Sequence, residues 1–233
     1  EINMDKSTLI KTQGLVKRYP VGGGHFTALK GIDLNVNSGE FVGLVGPSGS
    51  GKTTLLNIIG ALDAPSEGTV EVLGKDLATL SGAQAAKHRS AFMGFIFQTY
   101  NLLPVYTAFE NVEFPLLLLG KSAEERKQLV MQALDWVGIA DKADSRPKML
   151  SGGESQRVAI ARAMVKQPKL VLADEPTANL DAKNSHHILE TMVKLNKELG
   201  TTFVFATHDE KVISYLHRKV TLVDGSIQSD ETS

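Results

Sequence analysis

Gly46-Pro47-Ser48-Gly49-Ser50-Gly51-Lys52-Thr53 follows the apolar run Phe41-Val42-Gly43-Leu44-Val45 and precedes an apolar-periodic stretch through Leu55, Leu56, Ile58 and Ile59. The octet is a complete G-x-x-x-x-G-K-[ST] pattern between a strand and a helix, the setting in which that pattern carries a mechanism. Its glycines let the backbone curl until successive N–H groups aim at one anion, and the helix that follows adds the positive end of its dipole. Lys52 is placed to reach the β- and γ-phosphates, and the Thr53 hydroxyl to hold Mg²⁺. The stretch implies a nucleoside triphosphate site made by Gly46, Pro47, Ser48, Gly49, Ser50, Gly51, Lys52, Thr53 and Thr54.

Four apolar segments resemble buried parallel strands, at 41–45, 92–97, 170–173 and 202–206. Each ends on polar residues placed for chemistry: the phosphate loop, Gln98, Asp174-Glu175 and Thr207-His208. Ligands of open α/β sheets sit beyond the carboxyl ends of the strands, so these four positions are expected to converge. Segments 9–16, 29–36 and 69–73 alternate as antiparallel strands with one wet face do. A last hairpin is expected at Asp224-Gly225, between 220–223 and 226–228.

From Thr107 to about Lys166 the pattern changes to helical spacing with strong caps. Ser122-Ala123-Glu124-Glu125 fits a capping box, followed by Leu129, Val130, Ala133, Leu134 and Val137 at helical spacing. Ser151 with Glu154 forms a second such box, opening a helix through Val158, Ala161, Ala163 and Met164. Two glycines in that first turn, Gly152 and Gly153, cost about 1 kcal/mol each against alanine. Something is therefore expected to approach the backbone closely there, and a bare helix start favours an anion.

The 233 residues are 42% hydrophobic, enough for one large domain or a domain with a sub-lobe. Lys+Arg number 25 against 26 Asp+Glu, so no basic excess points to nucleic acid. Without a cysteine there is neither disulfide nor thiolate metal site. Glu1 to Lys6 lack the apolar core of a signal peptide, with Met4 a candidate native start, and no apolar run reaches the length of a bilayer span. These features predict a chain on the cytoplasmic side.

Leu150-Ser151-Gly152-Gly153-Glu154, taken with the phosphate loop, resembles the signature of the ATP-binding cassette family, in which Gln usually follows the second Gly. Six motifs stand in the family's order along essentially the whole chain. The resemblance implies an ABC ATPase of the α/β P-loop NTPase class: a mainly parallel core sheet, an antiparallel β subdomain and an inserted α-helical subdomain. The division expected is about 1–98 and 167–233 for the core with its β subdomain and about 99–166 for the helical part. It implies ATP and Mg²⁺ as ligands, and a homodimer in which Ser151, Gly152, Gly153, Glu154 and Asp181 of one subunit face the nucleotide of the other. Asp181 belongs to Asn179-Leu180-Asp181, similar to the D-loop, although many relatives carry Gly or Ser at Ala178.

Leu170-Val171-Leu172-Ala173-Asp174-Glu175 looks like a Walker B strand, with Asp174 holding the Mg²⁺ water shell and Glu175 the general base on the attacking water. Gln98 matches the glutamine that contacts Mg²⁺ and the attacking water, and His208 the histidine that hydrogen-bonds the γ-phosphate. With Lys52 these are the expected catalytic residues. Tyr19 resembles the aromatic that stacks on adenine, followed by a flexible Gly22-Gly23-Gly24 loop.

Segments 57–63, 94–98, 101–104 and 109–112 resemble the macrolide-exporter and lipoprotein-releasing branch. That implies a separate membrane subunit, of four-span type, with this chain peripheral on the inner face of the membrane. A cell-division ATPase of the same branch is the near alternative, and a soluble non-transport cassette the more distant one. The run Leu116–Leu119 is the expected surface for the membrane partner.

Overall fold

A computed structural model describes residues 7–232, so Met4 lies outside the described residues. The chain runs β1 (Thr8–Val21), β2 (Gly24–Asn37), β3 (Phe41–Val45), α1 (Lys52–Ile59), β4 (Glu67–Val72), β5 (Lys75–Asp76), α2 (Gly82–Phe92) and β6 (Met93–Phe97). It continues through α3 (Ala108–Leu118), α4 (Ala123–Trp136), α5 (Gly152–Met164), β7 (Leu170–Asp174), α6 (Ala182–Leu199), β8 (Thr202–Thr207), α7 (Glu210–Ile213), β9 (Arg218–Val223) and β10 (Ser226–Thr232).

Two sheets result. One has the order β10-β9-β3-β8-β7-β6, parallel throughout except for β10, which closes the edge as the antiparallel partner of β9. The central strands β3, β7 and β8 are apolar almost end to end, as strands covered on both faces must be. The other sheet, β2-β1-β4-β5, is antiparallel and alternates buried with exposed residues.

Two cores lie either side of the parallel sheet. Leu44, Leu172, Val204 and Val220 face Leu55, Ile58 and Ile59 of α1 together with Ile10, Leu29 and Ile32 of the antiparallel sheet. On the other face Ile96, Val171 and Phe203 share one continuous core with Val112, Val130, Leu134 and Val158 from α3, α4 and α5. Helix α5 lies so close to β6 that a Cβ on Gly94 would stand 2.6 Å from the Ala163 carbonyl oxygen. The boxes expected at Ser122 and Ser151 are both formed, and a third at Thr107 with Glu110 opens α3.

Two local expectations are corrected. Phe92 was expected to start a strand but ends α2, its ring edge-on to His88 at 5.4 Å; the extended backbone begins at Met93. Gly22 and Gly23, expected as a loose loop, close a two-residue hairpin between Val21 and Gly24, with φ of 49° and 88°. Such a turn demands two left-handed residues, and matches the twist of the strands it joins.

Candidate functional site

The phosphate loop leaves the carboxyl end of β3, and its shape is enforced by neighbours. A Cβ on Gly46 (φ 144°) would lie 2.1 Å from the Leu222 carbonyl oxygen, and one on Gly51 (φ 101°) 2.8 Å from that of Ala28. The β9–β10 turn braces the loop, since Gly225 N donates to Ser50 O at 3.0 Å while Lys30 N donates to Gly225 O at 2.8 Å. Helix α1 starts from Gly51 with no side-chain cap and no acid in its first turn, so its leading N–H groups stay available to an anion.

Beside that helix end is a cavity of about 390 Å³ lined by Ser48, Gly49, Gly51, Lys52, Thr53, Thr54, Gln98, Asp174, Glu175 and His208, with Phe26 and Ala28. Four strand ends thus deliver their polar residues to one place. Gly46, Pro47 and Ser50 shape the loop without lining the cavity. The Lys52 ammonium donates to the carbonyls of Gly46 and Pro47, both at 2.8 Å. Burial lowers its pKa, opposed by the Glu175 and Asp174 carboxylates.

Thr53 Oγ1 donates to Asp174 Oδ1 at 3.1 Å. Burial raises the Asp174 pKa, the hydroxyl of Thr53 lowers it, and neighbouring Glu175 raises it again. A hydroxyl and a carboxylate oxygen held together beside a phosphate loop are hard donors of the kind Mg²⁺ takes, so the residues fit that ion.

Glu175 is held from several sides. Its backbone adopts φ 45°, a strained conformation for a non-glycine residue, with its N–H donating to Ala206 O at 2.9 Å. One carboxylate oxygen, Oε1, accepts His208 N–H at 3.2 Å and meets His208 Nδ1 at 2.5 Å. The other, Oε2, accepts the Thr207 hydroxyl at 3.0 Å.

The residues expected to act across a dimer do not line this cavity. Ser151, Gly152, Gly153, Glu154 and Asp181 gather elsewhere, around the start of α5 and the start of α6. Ser151 and Glu154 complete their reciprocal box, which pulls the Glu154 pKa down. Asp181 caps α6 through Asn184 N at 2.8 Å and accepts the Asn184 amide at 2.7 Å. A Cβ on Gly153 would stand 2.6 Å from Asn184 Oδ1, so the close approach expected at this glycine comes at least from α6 of the same chain. Gly152 and Ser151 remain exposed.

Tyr19 also lies off the cavity lining. It pairs across the hairpin with Phe26, donates its hydroxyl to Asp63 Oδ2 at 2.7 Å and has the Lys17 ammonium 4.9 Å from its ring centre. Phe26 itself, 55% exposed, presents the aromatic surface of the cavity. Sequence reading passed it over, although a position opposite Tyr19 in a two-residue hairpin could have been counted off from the glycine pair.

The ABC transporter family profile matches residues 29–178. The chain belongs to that family. It is 46% identical over 224 residues to the lipoprotein-releasing system ATP-binding protein LolD of Geobacter metallireducens, covering 96% of this chain and all of that one. Identity to the macrolide export ATP-binding/permease protein MacB of Rhodopirellula baltica is 45% over 224 residues, 95% of this chain but 33% of that longer protein. Among solved structures, the dimeric ATP-binding cassette MJ0796 in a post-hydrolysis state bound to ADP and Pi superposes with TM-score 0.89 at 42% identity, covering 96% and 98% of the two chains. The chain is accordingly an ATP-binding, Mg²⁺-dependent ATPase cassette of the branch that holds LolD and MacB.

Proposed function

We propose that the chain works as a homodimer with two ATP molecules at the subunit junction, each bound by the phosphate loop of one copy and the Ser151–Glu154 helix start of the other. The observation that carries this reading is the separation of the two anion-seeking helix starts: α1 opens into the cavity, whereas Ser151, Gly152, Gly153, Glu154 and Asp181 are absent from its lining. A second copy, turned head to tail, brings the missing half.

In that arrangement Lys52 and the loop N–H groups bind the β- and γ-phosphates, Thr53 and Asp174 hold the magnesium ion with Gln98 beside them, and Phe26 and Tyr19 offer aromatic surface to the base. Bound there, the ion neutralises charge on the phosphates. Glu175 takes the proton of the attacking water while the bond to the γ-phosphorus forms and that to the leaving ADP oxygen breaks, and His208 orients the same carboxylate. Dimer closure would move residues 99–166, which we read as the helical subdomain, and with them a separate membrane subunit.

No helix among the described residues is long and apolar enough to cross a membrane. We place the chain on the cytoplasmic face of the inner membrane, bound to a transporter subunit for lipoprotein release or export. Leu116 of the expected run is buried in the core, whereas Leu117, Leu118 and Leu119 are exposed at the end of α3, as such a contact surface requires.

Glu175→Gln tests the scheme. The variant should keep ATP affinity, lose turnover by at least about a hundredfold, and accumulate as an ATP-bound dimer in light scattering. A variant that stays monomeric at saturating ATP and Mg²⁺ would refute the shared-nucleotide arrangement.

A further inference from the structure

We infer that Thr207 is a positioning residue for ATP hydrolysis: its hydroxyl fixes the Glu175 carboxylate in the orientation that accepts the water proton. The inference rests on the reading of Glu175 as general base. Thr207 is the last residue of β8, fully buried, and not part of the cavity lining. Any effect on turnover must therefore pass through a neighbour.

Hydrogen-bond direction narrows the role. Asp209 N donates to Thr207 Oγ1 at 3.0 Å, so a lone pair of that oxygen is committed to an incoming N–H. The single hydroxyl proton is thereby left for Glu175 Oε2, 3.0 Å away. Asp209 is itself pinned, its Oδ2 accepting the Thr177 hydroxyl at 2.9 Å and its Oδ1 accepting Lys211 N at 3.0 Å. The chain of donors runs from a fixed backbone through Thr207 to one oxygen of the carboxylate, while His208 engages the other.

A carboxylate on a flexible side chain, attached at a residue with φ 45°, needs such a clamp to hold its plane. Geometry errors of about 1 Å at a reacting group cost about a hundredfold in rate. Thr207→Val keeps the shape and removes the donor.

The experiment compares steady-state ATP hydrolysis by the full chain as wild type, Thr207→Val, Thr207→Ser, Glu175→Gln and the Glu175→Gln/Thr207→Val double variant. Thr207→Val should lower kcat about 10- to 100-fold with KM for ATP within about twofold, because the hydroxyl bonds only Glu175 and Asp209 N and does not line the nucleotide cavity. Thr207→Ser should recover most of that loss. In the Glu175→Gln background the added Val should change residual turnover by less than about twofold, since residues acting as one unit are not additive.

If Thr207→Val fails to bind ATP, Thr207→Ala takes its place. The inference is overturned by a Thr207→Val kcat within about threefold of wild type, by a serine variant as slow as the valine one, or by a further drop in the double variant. Normal turnover in Glu175→Gln would instead overturn the base assignment itself.

Discussion

Lys166 offers a quantitative test of how the groove between α2, α3 and α5 is built. Its ammonium donates to the carbonyls of Arg89 (3.1 Å) and Ser90 (2.6 Å), in a groove also lined by Phe95, Phe97, Phe114 and Leu118. Burial pushes its pKa from the ordinary 10.5 down to about 8. The folded chain thus releases this proton near pH 8, whereas the unfolded chain keeps it until about 10.5. Between those values the unfolded state holds the extra proton, so stability rises with pH through the window; below about 8 the burial penalty stands in full. A displacement of that size corresponds to about 3 kcal/mol, trimmed toward 2 by water reaching the partly exposed head group. Lys166→Met removes the titration. Urea unfolding of both proteins from pH 7 to 10.5 should give a stability difference, parent minus variant, that is flat below pH 8 and then climbs by about 2–3 kcal/mol. Because other groups titrate alike in both chains, they cancel. A difference constant to within about 0.5 kcal/mol across the window would mean that the head group is solvated and the groove open to water.

Phe26→Ala should weaken ATP binding about 5- to 150-fold in calorimetric titration, the range expected for a lost stacking face of 1–3 kcal/mol; unchanged affinity would leave Tyr19 as the aromatic that meets the base. Asn111 is fully buried in α3, its amide donating to the carbonyls of Leu103, Tyr106 and Thr107 and its carbonyl accepting Leu103 N. Asn111→Ala leaves Leu103 N and Tyr106 O unpaired, while Leu103 O keeps Tyr106 N and Thr107 O keeps the residue 111 N–H. The change should cost about 2–4 kcal/mol, lowering Tm by about 4–16 °C, and a shift under about 2 °C would show that water replaces the latch.

The parallel strands were legible because continuous apolar runs ending in polar residues admit few other readings, and β3, β7 and β8 run where expected to within a residue. The caps at Ser122 and Ser151, each with Glu three residues on, were equally plain, since the motif is local and needs no tertiary partner, although the same spelling at Thr107 was not read. Helix α2 was not legible: only His88 is buried on it, so no apolar stripe betrays it, and its box closes with Gln84 rather than Glu. Helix α6 was passed over although Asp181 starts it, Gly200 stops it, and Ile188, Leu189, Met192 and Leu195 mark one face. The glycine hairpin went unread for another reason: three consecutive glycines look like slack until the strands either side are known to pair.

At the site, what sequence could supply was the identity of each chemical group, and what it could not supply was who touches whom. Gly153 illustrates the gap. Close approach was the correct inference from a glycine in a first helical turn, but the nearest neighbour is Asn184 of the same chain, which Asp181 holds through its amide. The N–H groups at the start of α5 are likewise partly used, because Glu154 occupies Ser151 N and Ser151 Oγ occupies Glu154 N. What is left uncommitted is the N–H of exposed Gly152, near an Asp181 fixed by its own cap. The internal contacts therefore build a rigid platform and reserve its outer edge, and a bare helix N–H there gains most from an anion that another molecule carries to it.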